Sequence, residues 1–454
     1  MRRTIATDKV GLAQLDRGST REVGRLMMAS TRTRHAASAV ASVALLSLAA
    51  CSSSSSTTQH SASTTQQSAS TRQTITFAIS GLGSEGQYTE AQVSKFEKQN
   101  PNIHVTVDVL SSDSTVFLSQ VNYAFAADSP TPDLVESDIT YTAKWAAAGY
   151  LQPVSCSPGQ FNQAMISTGR YQGKLYSCPW FLNVEGLFYR TDLVSAPPAT
   201  AQQVITDAEQ ALNSDRQLKE GIAFEGDKYE GAITAYMMLD KAFGGSLDNL
   251  SNVDTPQNVA ALNFLHSLIY QYRVAPSDVV TYQEGQTGND FAAGYAAFAT
   301  NWPYVAGLPL APAVKGHVGF IPFPPAPGGS RGVALGGEVL SVNGKTAHVA
   351  AVNKLIDFLT SPAQETVRAI AVADAPAVPA AYRPSLFTSA PIFKTVQAMA
   401  PIAAARPVTP EYLNVSADLR ELISSAYASQ SQSAASGAFK NYAGTIATDS
   451  GAAS

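Results

Sequence analysis

Apolar and polar residues alternate along "TITFAIS", Thr74 to Ser80, and the alternation stops at "GLGSEG". A period of two ended by glycines marks a strand and a turn. The next run, "YTEAQVSKFEKQNP", carries Val93 and Phe96 on one helical face and is halted at Asn100-Pro101, because the residue before a proline avoids the helical region. "IHVTVDVL", Ile103 to Leu110, returns to a strand pattern, and strand, helix, strand at this spacing predicts a parallel βαβ unit. The alternation continues through a helix in "VFLSQVNYAFAADSP", a buried strand in "PDLVESD" and a helix in "YTAKWAAAGYLQPV", to about Val154. A second set follows, with short strands in "GKLYSCPW" and "EGLFYR" and a helix in "ATAQQVITDAEQALN". From "YEGAITAYMMLDKAFGG" to "NVAALNFLHSLIYQYRV" apolar residues recur at i, i+3 and i+4, the spacing of core-facing helices. "DFAAGYAAFA" reads as a helix ending at Trp302, since Pro303 restricts that residue to extended conformations. "VGFIPFPPAPGG" and "GVALGGEVLSV" give strands, and "AHVAAVNKLIDFLTSPAQETVRAI" gives two helices broken at Ser361-Pro362. "ADLRELISSAYASQ" is a last helix, with the Ser/Ala-rich end beyond it expected to fray.

The N-terminal region departs from this picture. "AASAVASVALLSLAA", Ala36 to Ala50, follows Arg32, Arg34 and His35 and is too short to span a bilayer as a mature helix, so it reads as an export signal. Met27 and Met28 stand just before it, which marks either as the expected start of translation. Cys51, preceded by Leu48-Ala49-Ala50, sits in a pattern that resembles the lipobox of bacterial lipoprotein precursors, whose cysteine is lipid-modified. The Ser/Thr/Gln-rich stretch from residue 52 to Gln73 has too little apolar surface to order itself and reads as a tether. If Cys51 is lipidated, Cys156 and Cys178 remain as a pair in a compartment where a disulfide forms.

Composition narrows the function. With 45% apolar and 14% charged residues, 454 residues fill two or three compact lobes. Residues 51–454 carry 22 lysines and arginines against 32 aspartates and glutamates, which argues against a nucleic-acid partner. Six scattered histidines and a single cysteine pair give no zinc spacing, so no metal or cofactor is expected.

The motifs resemble, in order, those of the carbohydrate-binding extracellular solute-binding proteins that feed ABC importers. They are "FEKQNPNIHVTV", "PDLVESDITYTAKWAAAGYLQPV", "YQGKLYSCPW" with "LFYR", "GYAAFATNWPYV", "VGFIPFPPAPGG" with "LGGE", and "FLTSPAQETV". Within that family "DKYEGAI", "NWPY" and "ARPVTPEY" look like the trehalose- and maltose-binding subgroup. The resemblance implies an α/β, two-lobed periplasmic-binding-protein-like fold with crossing hinge segments and a ligand cleft between the lobes. It places lobe 1 at 74–155 and 332–374, lobe 2 at 156–331 and 375–440, and a disordered tail at 441–454. It also implies a monomer, lipid-anchored outside the cytoplasmic membrane, that hands a di- or oligosaccharide of the α-glucoside type to the transmembrane subunits of a permease.

A pyranose offers C–H groups on one face and hydroxyls round its edge, so its site needs flat aromatic surface and planar hydrogen-bonding groups. Trp302 stands where the subgroup has a stacking tryptophan, with Tyr304 beside it; the plainer role is a core tryptophan. Tyr229 and Glu230 match positions that meet sugar hydroxyls and ring face, against a default of a solvated carboxylate. Asp138 ends a strand, where ligand contacts gather, and also suits a helix N-cap. Glu85 lies in a glycine-bearing loop, as ligand contact or turn residue. Asn183 matches a polar contact or is a strand-end asparagine. Gly336 and Gly337 match a pair that lets backbone amides reach the sugar, followed by Glu338 where an aromatic is usual. Arg406 suits a bidentate contact to hydroxyls or carboxylate, or a surface ion pair. Glu338 and the surplus of acids keep open another polar solute on the same scaffold: an amino sugar, a glycerophosphodiester, a polyamine or a peptide. A glycoside hydrolase needs a carboxyl pair straddling the bond, and no G-x-S-x-G nucleophile motif is present.

Overall fold

The computed structural model describes residues 72–451 except 82–84 and 112–113. Cys51, the export signal and the tether to residue 71 therefore lie outside the described residues, as does the side chain of Glu85, whose backbone opens the helix Glu85–Gln99.

The strands in chain order are β1 (Gln73–Ile79), β2 (Ile103–Val109), β3 (Leu134–Asp138), β4 (Arg170–Tyr171), β5 (Lys174–Leu175), β6 (Ser177–Arg190), β7 (Glu220–Ala223), β8 (Ala296–Asn301), β9 (Val318–Ile321), β10 (Ala334–Val342) and β11 (Ala375–Pro376). One mixed sheet runs β2-β1-β3-β10-β6-β8-β7, with β9 and β11 also paired to β6, while β4 and β5 form a small hairpin. β1 pairs in parallel with β2 and β3, as the βαβ pattern predicts, and β7 pairs in parallel with β8. β10 runs antiparallel between β3 and β6.

The first half is a three-layer α/β sandwich. Ile75, Phe77 and Ile79 of β1 pack with Val93 and Phe96 of Glu85–Gln99 and with Leu355, Ile356 and Leu359 of Val349–Leu359. Ala78, pointing to the opposite face, packs with Phe117, Val121 and Phe125 of Ser114–Ala126 and with Trp145 of Thr142–Ala147. The period of two in "TITFAIS" is thus divided between two cores. The second half buries Ala201–Ser214, Glu230–Ala242, Pro256–Tyr270 and Tyr412–Tyr427 against one another and against Leu187, Tyr189 and Phe298 of β6 and β8.

β6 belongs to both halves. Its first part, Ser177–Glu185, pairs with β10, and its last part, Gly186–Arg190, with β8 and β9. Cys178 and Trp180 sit in the first core and Leu187 in the second. Of the two short strands expected in "GKLYSCPW" and "EGLFYR", Lys174–Leu175 is β5 and the rest joins into this single 14-residue strand, because "FLNV" between them is also extended and almost wholly buried. Cys156 and Cys178 form a disulfide, Cα to Cα 6.1 Å, beside this first core.

Two further expectations are corrected. "DFAAGYAAFA" is not one helix: Glu284–Ala293 ends at Gly294, whose φ of 80° is left-handed, and "AAFATN" becomes β8, fully buried between β6 and β7. Alanine favours helix intrinsically, but burial on both faces of a central strand overrides that preference. Nor is 441–454 a frayed tail throughout. Ala434–Asp449 is a helix whose Phe439 and Ile446 are fully buried against Tyr412–Tyr427 and Pro256–Tyr270.

Phe439 faces Tyr236 with ring centroids 6.4 Å apart. Phe439→Ala is expected to lower the unfolding free energy by about 3–5 kcal/mol, the ordinary cost of emptying a buried aromatic site. A urea-denaturation midpoint equal to wild type would show that this helix is not docked.

Candidate functional site

The carboxyl ends of the parallel strands in the two halves bring a set of polar side chains together. β3 ends on Asp138 in the first half. In the second, the chain leaves β7 at Ala223 and reaches the helix Glu230–Ala242, and it leaves β8 at Asn301 and reaches Trp302. Open α/β sheets place ligand loops at such ends.

Arg406 joins the halves. It is 6% exposed, its Nη2 lies 2.6 Å from Asp138 Oδ2 and its Nη1 2.8 Å from Glu230 Oε2. Asp138 Oδ1 is turned back on its own chain, accepting from the Thr140 amide at 2.9 Å and the Thr140 hydroxyl at 2.6 Å. Glu230 is the first residue of its helix, where the backbone dipole favours a negative charge. It also accepts from the Tyr412 hydroxyl at 2.8 Å and from Ser416. The Tyr141 hydroxyl lies among Asp138, Glu230, Arg406 and Glu338; burial and these carboxylates raise it above the ordinary tyrosine value.

A second group forms around Glu284, the first residue of Glu284–Ala293. Its amide donates to the Tyr229 hydroxyl at 3.0 Å, and its carbonyl accepts from Tyr304 Oη at 2.8 Å and Asn301 Nδ2 at 3.0 Å. Asn301 Oδ1 receives the Trp302 amide at 2.7 Å. The Trp302 indole lies on Gly336, where a Cβ would fall 2.8 Å from the ring. Only glycine permits that approach. Gly337 next to it has φ 123°, and in register Gly336 faces Asn183 of β6 while Glu338 faces Asp138 of β3. The structure thus gathers Asp138, Asn183, Tyr229, Glu230, Trp302, Tyr304, Gly336, Gly337, Glu338 and Arg406 into two adjoining networks. Asn183 is in mid-strand, not at a turn or strand end. Trp302 follows a strand, not a helix, and is half-buried, unlike Trp145 and Trp180, which are fully buried.

Sequence reasoning missed Glu185, Glu225, Glu284, Tyr141 and Tyr412. Glu185 had a signal: a lone acid inside "FLNVEGLFY", where Asn183 is the other strongly polar side chain. Glu225 and Glu284 lie in ordinary polar contexts. Glu225 is buried, accepts from Thr287 at 2.8 Å and from Thr300, and has its carboxyl pushed up to about 8 by burial and by the neighbouring Glu284.

The chain belongs to the family of bacterial extracellular solute-binding proteins, whose sequence pattern matches residues 80–366. It is 31% identical over 261 residues to a probable ABC transporter-binding protein of Deinococcus radiodurans, a match that takes in 54% of this chain and 62% of that relative. Among solved structures, maltose-bound MalE3 of T. maritima superposes with a TM-score of 0.76 at 29% identity, covering 83% of this chain and 99% of the other. A solute-binding protein of Thermotoga lettingae with bound alpha-D-tagatose superposes with a TM-score of 0.70 at 22% identity, over 82% and 99% of the two chains. The architecture is the two-lobed α/β fold of these proteins.

The buried acid at Glu225 has a consequence for stability. An unfolded glutamate titrates near pH 4.3, and the folded one near 8. Below the lower value both states hold the proton; between the two only the folded state does. Its contribution is therefore complete below about pH 4.3 and is lost as the pH rises through about 8. Glu225→Gln is expected to flatten the decline of unfolding free energy between pH 5.5 and 7.5 by up to about 1.4 kcal/mol per pH unit, the weight of one proton. Urea midpoints at three pH values measure it; a slope equal to wild type means Glu225 is ionised.

Proposed function

We propose that this protein is the exported, lipid-anchored capture component of an ABC importer, which closes round a di- or oligosaccharide of the α-glucoside type and presents it to a membrane permease. The observation that carries the reading is the Arg406 clasp: one guanidinium holds carboxylates from the two halves, beside an indole laid on a glycine backbone. Planar charged groups at a ring's edge and an aromatic face against its C–H surface are what a pyranose requires. The likeness to maltose-bound MalE3 of T. maritima, the solved structure at 29% identity, supports a sugar of that class. Cys51 is the proposed lipid attachment, and the lobes divide near residues 155, 331 and 374, with β6 as one of the crossing segments.

The chemistry is capture, not turnover. Asp138 and Glu230, two acids that come from opposite halves, are both spent on Arg406. A hydrolase would instead need one of such a pair to carry a proton to the glycosidic oxygen. Hinge closure brings the two halves of the clasp together and hides the sugar from water.

Of the three tryptophans, two are fully buried in the first half, so a ligand-dependent change in emission reports Trp302. The purified protein is expected to gain thermal stability and shift its tryptophan emission with maltose or trehalose, and to release no monosaccharide on long incubation. Trp302→Ala is expected to weaken binding by roughly 30-fold or more, as loss of an aromatic anchor costs about 2 kcal/mol. An unchanged dissociation constant in a folded variant would falsify the stacking role.

A further inference from the structure

Behind the clasp stand three carboxyl groups that the sugar contacts above leave unused: Glu185, Glu225 and Glu284. Glu185 is 0% exposed, in the middle of β6 and two residues after Asn183, so the two share a face of the strand. Neither of its carboxyl oxygens has a hydrogen bond of ordinary geometry. The hydroxyl of Thr234 is shared between this carboxyl and the Gly231 carbonyl, 3.1 Å away, and favours the Glu185 anion less than burial and Glu225 oppose it. The other groups facing it are Glu225 from beyond β7, Glu284 from Glu284–Ala293, and Arg406, whose guanidinium is already committed to Asp138 and Glu230. Glu225 has two threonine donors, and Glu284 has the Tyr229 hydroxyl.

A fully buried carboxyl with no more than one shared hydroxyl beside it is strongly unfavourable as an anion, and costs free energy even when neutral. The arrangement invites an outside donor. Of the charges a sugar-like solute can carry, three converging carboxyls accept only a positive one. We infer that Glu185, with Glu225 and Glu284, receives a basic nitrogen of the bound solute, so that the ligand is an aminated sugar. The inference rests on the reading of the cleft as a sugar site. Glu338, in register with Asp138, adds a further acid to the rim.

The same burial gives the binding step a signature. Glu225 is pushed up to about 8, and Glu185 and Glu284 lie above the ordinary carboxylate range, all chiefly by burial. An incoming ammonium favours the ionised forms and expels protons. Capture of an amine near pH 7 therefore releases protons, and its affinity rises from pH 6 to 7.5; capture of a neutral sugar does neither.

The test is calorimetric titration of maltose and trehalose against their analogues singly aminated at C2, C4 or C6, in two buffers of different ionisation enthalpy. At least one amine is expected to bind tenfold or more tighter than its parent, with heats that differ between buffers by the enthalpy of proton uptake. If the parents bind as tightly as every amine and the heats are buffer-independent, the inference fails and the sugar reading stands. If no sugar binds, both fail. Glu185→Gln is expected to narrow the preference to threefold or less; a folded variant with the preference intact overturns the inference. Should that variant not fold, Glu225→Gln and the buffer dependence of the native protein decide the matter.

Discussion

The guanidinium of Arg406, held between Asp138 and Glu230, is the contact on which the arrangement of the cleft depends. A buried cation is tolerable only when its charge is paired, and here the two Nη groups point at acids from different halves of the fold while Nε is left without a partner. Lysine would offer one compact charge with rotatable donors in place of a planar fork and would not fix the two acids' orientation. The clasp therefore sets a separation and an orientation as well as a charge balance. Removing either carboxylate would leave a buried cation half-paired, at a cost of roughly 3–5 kcal/mol.

Delivery of those groups follows from strand direction. Asp138 arrives at the carboxyl end of β3, Glu225 just past that of β7, and Trp302 just past that of β8. β6 is long enough to serve as a spine for both halves. Its pairing changes from β10 to β8 and β9 near Gly186, so residues on either side of that point belong to different cores. A strand shared in this way lets two cores pivot while the backbone hydrogen bonds within each are retained. The disulfide from Cys178 to Cys156 ties the first end of the spine to the segment before it.

Much of this was legible in the sequence, and the reasons differ by element. "TITFAIS" alternates because β1 has helices on both faces, with large residues toward one and Ala78 toward the other, whereas "IHVTVDVL" alternates because β2 is the edge strand, with Ile103 and Val105 in the first core and Thr106 and Asp108 exposed. "AAFATN" was read as helix because its alanines carry no strand preference; only its burial between β6 and β7 makes it extended. The last helix was discounted for its serines and alanines, yet Phe439 and Ile446 sit one above the other seven residues apart, and those two side chains dock it. Glu230, Trp302 and Arg406 were singled out from their motifs and Asp138 from its place at a strand end, and the fold brings all four to one region. Tyr141 and Tyr412 lie within "PDLVESDITYTAKWAAAGYLQPV" and "ARPVTPEY", yet nothing in either string sets them apart, because their placement depends on long-range packing that a linear pattern does not encode.

Glu185 differs in kind from the other acids of the cleft. Glu230 and Glu284 each begin a helix, where unpaired backbone N–H groups and the helix dipole stabilise a negative charge. Glu225 has two threonine hydroxyls, and Asp138 has Thr140 and Arg406. Glu185 comes from mid-strand, opposite Ala334 of β10, and does not itself begin a helix. A valine or leucine there would continue the apolar run of β6 and pack at no polar cost. Stability alone therefore disfavours a carboxyl at this position, whereas a site that must meet a basic nitrogen favours one.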